Sequence, residues 1–245
     1  MIIHLIKVKD IPKLPRRECK AMTVGIGFQC SDGVILLADR QITSTGGFKY
    51  DARKISASHD KECNFIFSYA GYPDAGEVTF RRLRQAFAEK LPTAKGEFPL
   101  QRAMAILEEV FYHHDSEGLQ TLIGVRMPNS PAVLFRTQDT KVVGGSPAEC
   151  IGSGDSSALK YLTSFLTQKD RTIDEASVLG TYIVSVANRY IDGCSGGPDR
   201  AVIYGDGSIS EGAGKVYDHQ EERFLHCETV IGERLRELLI SGGRE

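Results

Sequence analysis

The stretch Thr23-Val-Gly-Ile-Gly-Phe-Gln-Cys-Ser-Asp-Gly-Val-Ile-Leu-Leu-Ala-Asp39 sets the frame for the whole chain. Residues 23–29 read as a strand. Ser31-Asp32-Gly33 is a turn, because Asp supplies local hydrogen bonds and Gly tolerates positive φ. Residues 34–38 form an unbroken apolar run, the pattern of a strand buried on both faces. Two strands joined by a tight polar turn predict a hairpin. A further strand covers residues 64–70 and stops at Gly71.

Beyond it the period changes. Phe80, Leu83, Phe87 and Leu91 fall on one helical stripe, and Leu100, Met104, Leu107 and Phe111 on a second. Strands return at 119–126 and 132–137, separated by a Pro-Asn-Ser-Pro turn. A second helical pair is expected at 156–166 and 173–190, then a strand at 200–204 and a last amphipathic stretch carrying Val230, Leu235, Leu238 and Leu239. Two strand sets, each with a helix pair, suggest two sheets packed face to face with helices outside. The pattern by itself leaves α+β and α/β open.

Composition narrows the function classes. The 245 residues are 41% hydrophobic and 25% charged, with a net charge of −2. Such a balance carries no pull toward nucleic acid or an anionic membrane, and no apolar run reaches the roughly 20 residues of a membrane-spanning helix. Six scattered cysteines without a C-x-x-C pair argue against a zinc site and against a disulfide framework; a reducing cytoplasm is the expected location. Residues 1–22 read as a removable leader or an upstream extension. The alternative is a docked N-terminal arm. The domain proper is expected at 23–245.

Four features bear on chemistry. Thr23 opens a strand directly after Met22. Freed at the N-terminus, its α-amine, with a pKa of about 7.7–8.0, can take the proton of its own hydroxyl at neutral pH; otherwise it is a β-branched residue starting a strand. Asp39 and Lys54 stand at the ends of apolar runs, where a cation held by a carboxylate lowers the proton affinity of a nearby amine. Seen singly, they are an ordinary surface pair. The small-residue turns around Ser153 and from Asp192 to Ser195 can cap helices or orient an amine. Gly71, ending a strand, can offer its N–H to an oxyanion. His113-His114-Asp115 at a helix end reads as favourable charge at a C-terminus rather than as a metal site.

Together and in this order, these features resemble the proteasome β-subunit family. Residues 34–43 resemble its "DGVVLAADxxAT" segment, Arg53-Lys54-Ile55 its "KKI", Ile151-Gly-Ser-Gly154 its "GSGS" and Asp192-x-x-Ser195-Gly-Gly197 its "DxxSGG". The likeness runs from about Thr23 to Tyr204. It implies an α+β fold, the four-layer αββα sandwich of N-terminal-nucleophile hydrolases, and a threonine peptidase cutting peptide bonds. Thr23 is then the nucleophile and Lys54 and Asp39 tune the site. Ser153, Asp192 and Ser195 hold amine and water, and Gly71 forms the oxyanion hole. Thr43 and Tyr69 are the implied substrate-binding residues, Tyr69 at the floor of the specificity pocket. No metal or organic cofactor is implied. The implied partners are a peptide or unfolded protein and further copies of the chain in a ring or helical assembly.

The chain departs from the pattern in several places. Lys20-Ala21-Met22 replaces the Gly that precedes the nucleophile in self-cleaving members, Val24 replaces a second Thr, and Asp155 replaces the second Ser of "GSGS". The Asp39–Lys54 interval is one residue short. Two other readings stay open: a non-catalytic scaffold or gate subunit of the same fold, and an amidase of the wider group acting on a small molecule.

Overall fold

A computed structural model of the chain describes residues 23–43, 48–91, 98–112, 118–153, 159–160, 163, 171–212 and 220–241. The opening hairpin forms as expected: β1 (Val24–Cys30) pairs antiparallel with β2 (Gly33–Ala38), with Gly25 opposite Ala38. They belong to a five-stranded sheet with β10 (Ala148–Gly152), β11 (Asp199–Tyr204) and β12 (Ile209–Gly212), in the order β10-β1-β2-β11-β12. The second five-stranded sheet runs β5 (Ile55–Ser58), β6 (Asn64–Ala70), β7 (Gln120–Arg126), β8 (Val133–Gln138), β9 (Lys141–Gly144). A two-stranded ribbon, β3 (Gln41–Thr43) with β4 (Lys49–Asp51), links the sheets at one end.

Three apolar clusters define four layers. Val34, Leu36, Ile66, Leu122 and Leu134 fill the space between the sheets. Phe65, Phe67, Leu83, Phe87, Leu107 and Phe111 join the second sheet to α1 (Pro73–Lys90) and α2 (Pro99–Tyr112). Ile26, Phe28, Ile35, Leu37, Ile183 and Val184 join the first sheet to α3 (Ile173–Tyr190). The alternation of β2 is thus split between two cores, so both its faces are apolar, and residues 34–38 had to be an unbroken hydrophobic run. A last helix, α4 (Gln220–Ser241), leans on α3 through an edge-on Tyr182–Phe224 contact and a bidentate Arg189–Glu228 ion pair.

Local sequence explains the entry to α3. Thr172 and Glu175 form a reciprocal capping box, and the Asp32 carboxylate, in the β1–β2 turn, accepts the Ile173 N–H at 2.8 Å. Asp32 thus docks a helix on the first sheet, and its backbone carbonyl accepts the Gly205 N–H at 2.7 Å. The helix expected at 156–166 lies largely outside the described residues, as do residues 1–22 and His113-His114-Asp115; Leu159, Lys160 and Thr163 are helical. Among the described residues, no helix is long and apolar enough to cross a membrane.

Candidate active site

Three strands of the first sheet end at Thr23. It stands one residue before β1, and its carbonyl accepts the Ser153 N–H just past β10 at 2.7 Å. On its other side the β1–β2 ladder runs one step beyond the hairpin register: the Asp39 N–H donates to the Val24 carbonyl at 3.1 Å, and the Asp39 carboxylate accepts the Val24 N–H at 2.9 Å. The carboxylate thus lies one peptide unit from Thr23, which is itself 6% exposed.

Lys54, immediately before β5, reaches the same carboxylate. Its Nζ lies 2.8 Å from Oδ1 and 2.9 Å from Oδ2 of Asp39, and the Gln41 N–H adds a further donor at 3.2 Å. Both side chains are buried, Lys54 to 1% and Asp39 to 0% exposure. A charge taken out of water at this depth costs several kcal/mol, on the order of what its partner must return. Burial raises the proton affinity of Asp39 and lowers that of Lys54; the attraction between them opposes both shifts, and the Val24 and Gln41 N–H groups also oppose that of Asp39. The favoured state is the charged pair, since three donor groups make four hydrogen bonds to one carboxylate. The Cys194 thiol lies beside the pair, pushed up to about 12 by burial, with the Asp39 charge adding to the shift.

The second sheet meets this point from below. Gly152 leaves room for the approach: a Cβ there would lie 2.1 Å from the Thr23 carbonyl oxygen and 2.9 Å from the Ala70 Cβ. Its N–H donates to the Gln120 side chain at 2.7 Å, and Gln120 pairs with Ala70 at the end of β6. Gly71 follows with φ +134°, turning the chain into α1.

Thr43 ends β3, opposite Lys49, and its buried hydroxyl has no hydrogen-bond partner among the described residues. The Tyr69 ring stacks on Phe67 at 6.2 Å and packs under α1, where a Cβ on Gly76 would lie within 2.5–2.7 Å of it. The Tyr69 ring thus fills the space beneath α1 at Gly76. Its hydroxyl is pushed up to about 12 by burial, with the Glu77 charge adding to the shift. The Ser195 carbonyl accepts the Arg40 and Gln41 N–H groups at 3.1 and 3.0 Å, tying its segment to the residues after Asp39. The Asp192 and Ser195 residues are exposed and line a cleft of about 640 Å³ with Gln41, Tyr50 and Asn188. Among the described residues, no cluster of three His, Cys, Asp or Glu is placed to hold a metal ion.

The sequence and the sandwich have counterparts among known proteins. A family model described as "Proteasome subunit" matches residues 20–204. The chain belongs to the proteasome subunit family. It is similar to the proteasome subunit alpha of Methanococcus maripaludis (strain C5), 27% identical over 177 residues, which are 69% of this chain; the match spans 66% of that relative's length. The sandwich superposes on Anbu from Hyphomicrobium sp. strain MC1 (TM-score 0.71, 14% identity, 88% of this chain and 96% of that one). It also superposes on Anbu, described as an ancestral beta-subunit, from Yersinia bercovieri (0.65, 15%, 89% and 96%). A third match is to a helical assembly of the Anbu complex from Pseudomonas aeruginosa (0.67, 11%, 88% and 96%). At these identities the structural matches establish the proteasome subunit fold, the αββα sandwich expected from the sequence.

Sequence reading had missed a second charge cluster, Asp199 with Arg40 and Arg53, whose arginines adjoin Asp39 and Lys54 in the chain. The available signal was positional: Asp199 opens the apolar run of β11 just as Asp39 closes that of β2, and in the sheet Asp199 sits opposite Ala38.

Proposed function

We propose that this proteasome-family chain is a threonine peptidase whose nucleophile is Thr23. The observation that carries the reading is the buried Lys54–Asp39 pair one peptide unit from that residue. An ion pair at such depth stabilises a fold poorly against an apolar substitute, so its presence favours a chemical role. The role requires a chain beginning at Thr23, reached by removal of 1–22 or by initiation at Met22. The freed α-amine then takes the proton from Thr23 Oγ, and Oγ attacks the peptide carbonyl. The oxyanion is met by the Gly71 N–H. Collapse of the tetrahedral species breaks the C–N bond, the α-ammonium returns its proton to the departing amine, and water hydrolyses the Thr23 ester. Lys54, fixed on Asp39, keeps the amine unprotonated near neutral pH by repelling a second positive charge. Ser153, Asp192 and Ser195 hold the amine and the attacking water, and Thr43 on the β3 edge pairs with the extended substrate. The substrate is a peptide or unfolded protein, the setting is cytoplasmic, and copies of the chain assemble into a ring or helix, a reading supported by the helical assembly of the P. aeruginosa Anbu complex.

The test combines the intact mass of the chain purified from its host with hydrolysis of fluorogenic peptides. A mature mass starting at Thr23, with activity lost in Thr23→Ala, is expected. Cleavage by material that retains the first 22 residues refutes the mechanism. The likeness to an alpha subunit favours a second reading, a scaffold or gate; it predicts a retained leader and no hydrolysis.

A further inference from the structure

We infer that Asp199 is a positioning residue for the Lys54–Asp39 pair and for the Ser195-Gly196-Gly197 strap. The inference deepens the reading of Thr23 as nucleophile and rests on it for its catalytic meaning. Asp199 is fully buried at the start of β11. One carboxylate oxygen accepts from Arg40 Nη1 at 3.1 Å, and the other lies 3.9 Å from Arg53 Nε. Arg40 directly follows Asp39, and Arg53 directly precedes Lys54. In extended chain, consecutive side chains point to opposite sides. Each dipeptide therefore delivers one charge to each of two clamps: Asp39 and Lys54 to the first, Arg40 and Arg53 to the second. The second clamp is closed by Asp199.

Further contacts lock the same two segments. Arg40 Nε donates to Asp51 at 2.7 Å, and the Ala52 N–H donates to the Arg40 carbonyl at 3.0 Å. Arg53 reaches Glu211 of β12 at 3.5 Å. The Arg40 side chain also runs along the strap. A Cβ on Gly196 would lie 3.3 Å from Arg40 Cβ, and one on Gly197 3.3 Å from Arg40 Cγ. Both glycines have positive φ, +67° and +78°. The two glycines thus let the chain pass beneath the arginine, and the arginine is aimed by Asp199. The carboxylate touches none of the reacting groups, yet it connects to Asp39, to Lys54 and to the strap through one residue each.

The test uses Asp199→Asn in the full chain and in a Thr23→Ala background. We measure the reductive methylation rate of Lys54 by peptide mapping, hydrogen exchange of the Val24 and Gln41 N–H groups, and kcat against KM on a fluorogenic peptide. Loss of the clamp is expected to accelerate Lys54 modification and both exchange rates by about tenfold, the scale of one charge-assisted hydrogen bond, and to lower kcat by a similar factor with KM little changed. The double variant Arg40→Met/Asp199→Asn should be less impaired than the sum of the two single variants, because the two residues share one contact. Phe87→Leu, in the α1–α2 core, controls for general destabilisation. If Asp199→Asn does not fold, Arg53→Met at the open side of the clamp takes its place. Unchanged Lys54 labelling and Val24 exchange overturn the proposal, as do changes matched by Phe87→Leu at equal loss of thermal stability. If wild type hydrolyses no peptide, the peptidase reading fails, and labelling and exchange alone decide the role of Asp199.

Discussion

Replacing Lys54 by Met keeps most of the volume and removes the charge that Asp39 was built to meet. The carboxylate retains the Val24 and Gln41 N–H groups at 2.9 and 3.2 Å but loses the ammonium at 2.8 and 2.9 Å from its two oxygens. Breaking a buried pair by deleting one member costs about 3–5 kcal/mol, which for a domain of this size lowers Tm by on the order of 10 °C. The cost has a definite pH dependence. Burial already holds Asp39 above its usual range with Lys54 opposing, so removing Lys54 raises it further. A folded-state pKa raised above the unfolded one gives a contribution that is present below the unfolded value and lost as pH rises through the folded value. The variant should therefore recover part of its deficit on acidification, by about 1.4 kcal/mol for each unit of additional rise. Urea unfolding of wild type and variant at several pH values between about 5 and 8 reads this directly. A penalty under about 1 kcal/mol, or one constant across that range, would mean that Asp39 is hydrated and the pair is not the dry one described.

Gly76→Ala should destabilise the chain by about 1–3 kcal/mol in urea unfolding, because the added Cβ meets the Tyr69 ring at 2.5–2.7 Å; an unchanged midpoint would mean that the ring does not fill the space beneath α1. Cys194, with its thiol pushed up to about 12, should be alkylated by iodoacetamide at about pH 8 at least about 100-fold more slowly than exposed Cys227, measured by peptide mapping. Equal rates would place water beside Lys54.

Much of the sandwich was legible because its central elements are long and periodic. Residues 64–70 and 173–190 were bounded as β6 and α3 have them, and the β1–β2 hairpin was displaced by a single residue at its ends. The short strands β3, β4, β5, β9 and β12 were not read, since three or four residues are too few for a period of two to stand out from chance. β10 was hidden for another reason: its last residue, Gly152, was read as the start of a small-residue turn, yet it pairs with Val24. At the site, Asp39 and Lys54 were found from their place at the ends of apolar runs. Arg40, Arg53 and Asp199 carry the same signature, but a charged residue in sequence defaults to the surface, and only the sheet register puts β11 against β2.

The register also explains why the charges gather where they do. A strand buried on both faces can place no ionised side chain in mid-run without leaving it unpaired. Its ends are different, because the chain turns there and backbone N–H groups are left over from the ladder. β2 ends at Ala38 opposite the first residue of β11, so Asp39 and Asp199 arrive at the same rim from neighbouring strands. The Val24 and Gln41 N–H groups are spare donors at that rim, and Asp39 takes both. Two buried carboxylates side by side would repel, and each needs its own cation. Arg53 and Lys54 enter together from the second sheet and supply one apiece, with Arg40 adding to the outer pair. The inner pair sits next to Thr23, and the outer pair fixes the geometry of the inner one. Exchanging Arg53 and Lys54 therefore tests the ordering: Arg53→Lys/Lys54→Arg keeps the net charge yet asks a planar guanidinium to fill a site shaped for an ammonium. It should lower stability by about 1–3 kcal/mol through overpacking of the inner site, and a variant as stable as wild type would show that the two positions are interchangeable.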